Sequence, residues 1–201
     1  MRKYGLILIL LLLCTSLNAQ KFTISTGMDM NYFLALFLQD MSGNSVTTIT
    51  HFGGFGAYAD FTYVRLIVDY SFLIGGVDIG DSGTHALTDT SIDFLNIYLV
   101  GKYPFTVGNI VIWPSLGILY SYCVNFRTPN SGGPPLDEYG FRDVHLVGGV
   151  GLDFKFGNMV FSPYFQFAYN LMPDMFEDQP PDIHITQLTF VLGISFGYIL
   201  K

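Results

Sequence analysis

The sequence predicts an all-β fold: an eight-stranded antiparallel up-and-down transmembrane β-barrel. Three observations predict it. Apolar side chains recur at every second position over long segments. Half of the 201 residues are hydrophobic, only 12% are charged and the mean hydropathy is +0.42, yet beyond the N-terminal region no run of 18 apolar residues could cross a bilayer as a helix. The connections between the alternating segments run long, short, long, short, long, short, long, the rhythm of barrels with short turns on one side of a membrane and long loops on the other.

The elements follow in order. Residues 1–19 read as a signal peptide, with Arg2 and Lys3 ahead of the apolar run 6–13 and a small residue, Ala19, at the cleavage point. The alternative is lipidation at Cys14. The barrel domain is then 20–201. Its first strand, 21–33, sets Phe22, Ile24, Thr26, Met28, Met30 and Tyr32 against Thr23, Ser25, Gly27, Asp29 and Asn31. A long connection, 34–50, leads to strands 51–60 and 62–75, joined by a turn around Asp60, Phe61 and Thr62. In the third strand Val64, Leu66, Val68, Tyr70, Phe72 and Ile74 alternate with Arg65, Ile67, Asp69, Ser71 and Leu73.

A second long connection, 76–91, precedes strands 92–104 and 110–126, with a short turn at 105–109. Connection 127–142 carries Pro129, Pro134 and Pro135. Strands 143–156 and 159–171 flank the turn Gly157-Asn158. Connection 172–184 carries Pro173, Pro180 and Pro181, and strand 185–200 ends with Leu188, Phe190, Leu192, Ile194, Phe196, Tyr198 and Leu200 on one face. Each segment exceeds the roughly 9–11 tilted residues that a hydrocarbon core requires. Pro114 and Pro163 fall inside strands and are expected near the rim or at bulges.

Alternation does not say which face meets lipid, because a soluble ligand-binding barrel alternates too. The less apolar face decides. It is Gly, Ser, Thr and Asn with sparse charges of both signs, which suits a narrow filled lumen and not a water-washed exterior. Aromatic residues gather near strand ends: Tyr70, Phe72, Tyr120, Tyr122, Phe126 and Tyr169 towards the long connections, and Phe22, Tyr103, Phe154, Phe156, Phe161 and Tyr198 towards the short turns. Such girdles mark bilayer interfaces. Trp113 departs from this pattern, since its parity turns it inward.

The phrases Tyr98-Leu99-Val100-Gly101-Lys102-Tyr103-Pro104-Phe105 and Trp113-Pro114-Ser115-Leu116-Gly117, set in this rhythm, resemble strands of small bacterial outer-membrane barrel proteins of the OmpX/OmpA transmembrane-domain type. The resemblance spans the whole of 20–201. It implies a place in the bacterial outer membrane, contact with outer-membrane lipid, and delivery by the barrel-assembly machinery. That machinery reads a terminal aromatic residue in such families; here the chain ends Phe196-Gly197-Tyr198-Ile199-Leu200-Lys201, and Phe196 or Tyr198 would serve instead.

The candidate site is the lumen. Asp29, Arg65, Asp69, Lys102, Asp153 and Lys155 share the inward face. They fit an ion-pair network that plugs the barrel, because enclosed charges need partners; the competing reading is the selectivity ring of a narrow pore for small solutes. Catalysis is not expected. A lipid-modifying barrel enzyme would need a serine beside a histidine with an acid to orient it, and His51, His85, His145 and His184 have no such company in sequence. No metal or cofactor is expected: the histidines lack ligand spacing, and Cys123 is the single cysteine after the signal. A formal charge of −7 makes nucleic acid a poor partner. The acidic, proline-rich long loops could meet an extracellular protein. The expected role is therefore structural or surface-interactive.

Overall fold

The computed structural model describes residues 23–41, 44–80, 83–86, 90–127, 142–171 and 183–200. The signal peptide, Cys14 and most of the two proline-rich connections lie outside the described residues. Ten strands are described: β1 Ile24–Met41, β2 Asn44–Phe61, β3 Val64–Gly80, β4 Gly83–Ala86, β5 Ser91–Lys102, β6 Phe105–Val107, β7 Ile110–Arg127, β8 Arg142–Phe156, β9 Met159–Asn170 and β10 Ile183–Leu200. Short β4 and β6 prolong the stave centred on β5: β4 pairs with β3 beyond where β5 does, and β6 pairs with the start of β7. The result is eight antiparallel staves.

The sheet closes. β1 pairs along its whole length with β10, from Ile24↔Leu200 to Met41↔Ile183, and equally with β2, from Ile24↔Phe61 to Met41↔Asn44. Closure leaves no free edge along the eight-stave wall, the short β4 and β6 alone pairing on one side among the described residues, so the wall's backbone donors and acceptors are satisfied without water, the condition for sitting in hydrocarbon. Thr23 and Leu200, the first and last described residues, lie at the end of the barrel that carries the short turn at 62–63, where the Thr62 amide donates to the Thr23 carbonyl at 3.0 Å and Leu200 pairs with Ile24.

Inside and outside follow strand parity. Met28 and Met30 are 72% and 62% exposed while Asp29 between them is 1% exposed. The exterior is a continuous apolar wall including Phe55, Leu66, Tyr70, Leu99, Leu116, Ile118, Phe165, Leu192 and Phe196. The interior holds nearly every buried charge. A soluble barrel would have the reverse arrangement, and in water the exposed wall would far exceed the patch of a few hundred Å² that soluble monomers tolerate.

The structure corrects several boundaries. The expected connection 34–50 is strand for most of its length: β1 and β2 continue in register to Met41↔Asn44. Leu34, Leu36, Phe37 and Leu38 are apolar at both parities, which hides the alternation in sequence although Ala35 and Thr50 are buried, while Thr47, Thr48, Ile49 and Thr50 keep a strong preference for extended backbone. The expected connection 76–91 likewise contains the end of β3 and all of β4. Strand 92–104 ends at Lys102, since Pro104 cannot donate to a ladder, and the expected turn at 105–109 shrinks to 108–109.

The prolines sit at no bulge. Register shifts fall at His51/Phe52 and Asp93/Phe94 instead. Pro114 is opposite Val150 and accepts the Tyr103 amide at 3.0 Å. In a strand the N–H and C=O of one residue face the same neighbour. The donor that Pro114 lacks is thus missing towards the Tyr103-Pro104 break between β5 and β6, where the ladder is already interrupted.

Candidate functional site in the barrel lumen

Two polar clusters hold the buried carboxylates of the described lumen. The first lies towards the short turns. Asp60 is the last residue but one of β2 and Arg65 the second of β3, so the hairpin puts them directly opposite each other. Arg65 donates to Asp60 Oδ2 from Nε at 2.8 Å and stands 2.7 Å from it through Nη2. Lys102, at the end of β5, reaches the same oxygen at 2.6 Å. Asp153 on β8 faces both cations at longer range, 3.6 Å from Arg65 and 3.8 Å from Lys102. Its Oδ1 accepts the Trp113 indole N–H and the Ser162 hydroxyl, each at 2.7 Å.

Aromatic faces complete this cluster. The Arg65 guanidinium carbon lies 4.5 Å from the Trp113 ring centroid and 4.8 Å from that of Tyr58. Lys102 Nζ lies 5.3 Å from the Trp113 ring. Enclosed cations over aromatic faces are worth about 2 kcal/mol when desolvated. Trp113 is fully buried, and Gly151 makes room for it: a Cβ at 151 would fall 2.0 Å from the indole. The inward parity of Trp113 thus has a reason. Its ring is a wall for the cations, and its N–H ties β7 to the Asp153 carboxylate.

The second cluster lies deeper. The Asn31 amide on β1 donates to Asp29 Oδ2 at 3.2 Å and to Asp69 Oδ2 at 3.0 Å. Asp29 also accepts the Ser195 hydroxyl at 2.5 Å and the Tyr164 hydroxyl at 2.8 Å. Asp69 accepts the Asn96 amide at 2.8 Å, and the same amide donates to Ser71 at 2.9 Å. Tyr164 on β9 reaches over β10 to Asp29 on β1 because Gly193 leaves space, a Cβ there falling 2.0 Å from the phenol ring. Towards the long connections Phe52 and Phe94 meet in edge contact at 5.6 Å between centroids, with Phe33 and Leu119 in the same core, beside a third polar group in which the Asn170 amide donates to Asp143 at 3.2 Å and the Gln187 amide to Thr189 at 3.4 Å.

The six charges assigned to the lumen therefore divide. Arg65, Lys102 and Asp153 meet in the first cluster, Asp29 and Asp69 in the second. Lys155 is exposed and makes no ion pair among the described residues; it lines an open cavity of about 360 Å³ at the short-turn mouth, with Lys102, Asp60, Asp153 and Thr62. Asp60 is the residue that sequence reasoning missed. The sequence places it at a turn, and only the pairing Asp60↔Arg65 puts it inside.

Among the described residues no group of three or more His, Cys, Asp or Glu converges. His145 is buried with Nδ1 unpartnered, and His51 shares a hydrogen bond with the Tyr32 hydroxyl near the outer wall.

The fold and its apolar exterior define the class: a membrane-spanning barrel with the architecture of bacterial outer-membrane proteins. No family model and no curated protein matches the sequence. Solved structures do. The outer membrane protein OprG from Pseudomonas aeruginosa is similar with a TM-score of 0.51 at 13% identity, over 90% of this chain and 95% of that one. Neisserial surface protein A gives 0.43 at 12% identity over 85% and 97%. The outer membrane protease OmpT from Escherichia coli gives 0.41 at 8% identity over 90% and 99%. The likeness to OprG carries the fold and nothing finer.

Proposed function

We propose that this chain is a non-catalytic barrel of the bacterial outer membrane, with its short turns in the periplasm, and that it serves envelope structure or surface contact. The observation that carries this reading is the packing of Trp113, Tyr58 and Arg65 across the lumen, fixed by Asp60 and Asp153. Side chains so tied fill the cross-section of an eight-stranded barrel. A further support is the height of β1 and β2. Eighteen residues each reach about 60 Å at roughly 3.3 Å per residue, well beyond a bilayer core of about 30 Å even when tilted. The excess lifts the hairpin out of the membrane, where it can meet a neighbouring protein.

A narrow pore is the second reading. It draws on the cavities at the two mouths, of about 360 Å³ and 40 Å³. Single-channel recording of the refolded protein in planar bilayers separates the two. The proposed role predicts no stable conductance; reproducible, long-lived channels would favour the pore. Removal of 128–141 and 172–182, followed by an adhesion assay, tests surface contact: lower adhesion at unchanged folding is expected, and unchanged adhesion leaves the envelope role.

A further inference from the structure

The short-turn mouth of the lumen is a cup of about 360 Å³, within the range of about 300–1,000 Å³ typical of small-molecule sites. Asp60, Lys102 and Asp153 line it. The side chains they hold, Arg65 and Trp113, fill the lumen behind them. Thr106 and Lys155 stand on its outer wall and are exposed. A solute can therefore enter from the short-turn side and meets a packed floor.

Charge around the cup does not balance. Arg65 and Lys102 are matched by Asp60 and Asp153. Lys155 lines the same cavity and has no ion pair among the described residues. One positive charge is left over. Lys102, 8% exposed, feels that surplus strongly, because charges interact more in an enclosed setting than in water.

Hydrogen-bonding capacity is left over as well, and of both kinds. Lys102 Nζ donates to Asp60 at 2.6 Å, while its distance to Asp153, 3.8 Å, is too long for a hydrogen bond. An ammonium has more donors than that one bond uses. Asp60 accepts through Oδ2 and Asp153 through Oδ1, so each keeps an oxygen that accepts no hydrogen bond among the described residues. A cup of this size with a single surplus cation, spare ammonium donors and spare carboxylate acceptors fits a ligand that carries one negative charge and several hydroxyls.

We propose that the cup binds a small hydroxylated carboxylate of the sugar-acid class. Its carboxylate accepts from Lys102 and Lys155, and its hydroxyls donate to the spare oxygens of Asp60 and Asp153. A neutral sugar leaves the surplus charge unmatched, and chloride leaves the acceptors and most of the volume unused. The site is independent of whether the barrel serves envelope structure or surface contact.

The protein contains its own reporter. Trp113 is the single tryptophan of the chain, and Lys102 Nζ lies 5.3 Å from its ring. The whole barrel, refolded in neutral detergent micelles at neutral pH, is titrated with sodium glucuronate at constant ionic strength, and Trp113 emission and the heat of binding are both followed. A saturable signal is expected with glucuronate and none with glucose or sodium chloride. Lys155→Gln, a change at an exposed position, should weaken binding about tenfold or more, as for the loss of one charge-assisted hydrogen bond; Lys155→Arg, which keeps the charge, should bind nearly as well as the unaltered protein. The absence of both signals with glucuronate would overturn the proposal. So would an equal response to glucose or chloride, or a Lys155→Gln variant that binds glucuronate as tightly as the unaltered barrel.

Discussion

The Trp113 indole N–H and the Asp153 carboxylate meet inside the barrel at 2.7 Å, joining β7 to β8 through their inward faces. The same carboxylate accepts from Ser162 on β9 and faces Arg65 of β3. One residue thereby links four staves. Asp153→Asn keeps the shape and removes the charge. Arg65 and Lys102 then share Asp60 alone, and the variant is expected to lose about 1–3 kcal/mol, the range for leaving a buried polar group imperfectly paired. Urea unfolding in lipid vesicles measures it.

Asp60 is the stronger case, because Arg65 and Lys102 both lie within 2.7 Å of its Oδ2. Asp60→Asn should cost about 3–5 kcal/mol, as expected when one partner of an enclosed ion pair is removed. The loss should be larger than for Asp153→Asn in the same unfolding experiment. The opposite order would show that Asp153, not Asp60, is the principal counter-ion.

Arg65→Ala removes the central cation but leaves Trp113, fully buried, and Tyr58, 2% exposed, in place. Lower thermal stability without new conductance is the expected pair of results, read by thermal melts and planar bilayers. Open channels in this variant would mean that the guanidinium alone closes the barrel.

Gly151→Ala tests packing without touching charge. Its Cβ would lie 2.0 Å from the Trp113 ring, so the indole must move. Overpacking of this kind costs about 1–3 kcal/mol. A shift in Trp113 fluorescence should accompany the loss, and an unchanged spectrum with unchanged stability would contradict the described packing.

Much of the architecture was legible because parity reports face. In β3, Arg65, Ile67, Asp69 and Ser71 alternate with Val64, Leu66, Val68 and Tyr70, and the buried and exposed classes follow the same order. What stayed hidden is what parity does not encode. Strand length is one example: Ala35 and Thr50 still face the lumen, but Leu34, Leu36, Phe37 and Leu38 are apolar at both parities, so the alternation is lost from the sequence there. The partners across the lumen are another. Lys102 meets Asp60 from 42 residues away and Ser195 meets Asp29 from 166 away, so no local spacing announces them. Asp60 was obscured by a turn boundary placed two residues early, and the second cluster by its reliance on neutral Asn, Ser and Tyr donors that resemble ordinary lumen filling.

The arrangement of faces is tested most directly on β1. Single spin labels at 28, 29, 30 and 31, in a background where Cys123 is replaced by Ser, report access to oxygen dissolved in lipid and to a water-soluble nickel complex. Labels at 28 and 30 should be reached by oxygen from the bilayer, with 29 and 31 shielded from it. High access of the nickel complex at 28 and 30, with oxygen favouring 29 and 31, would contradict an exterior that meets acyl chains.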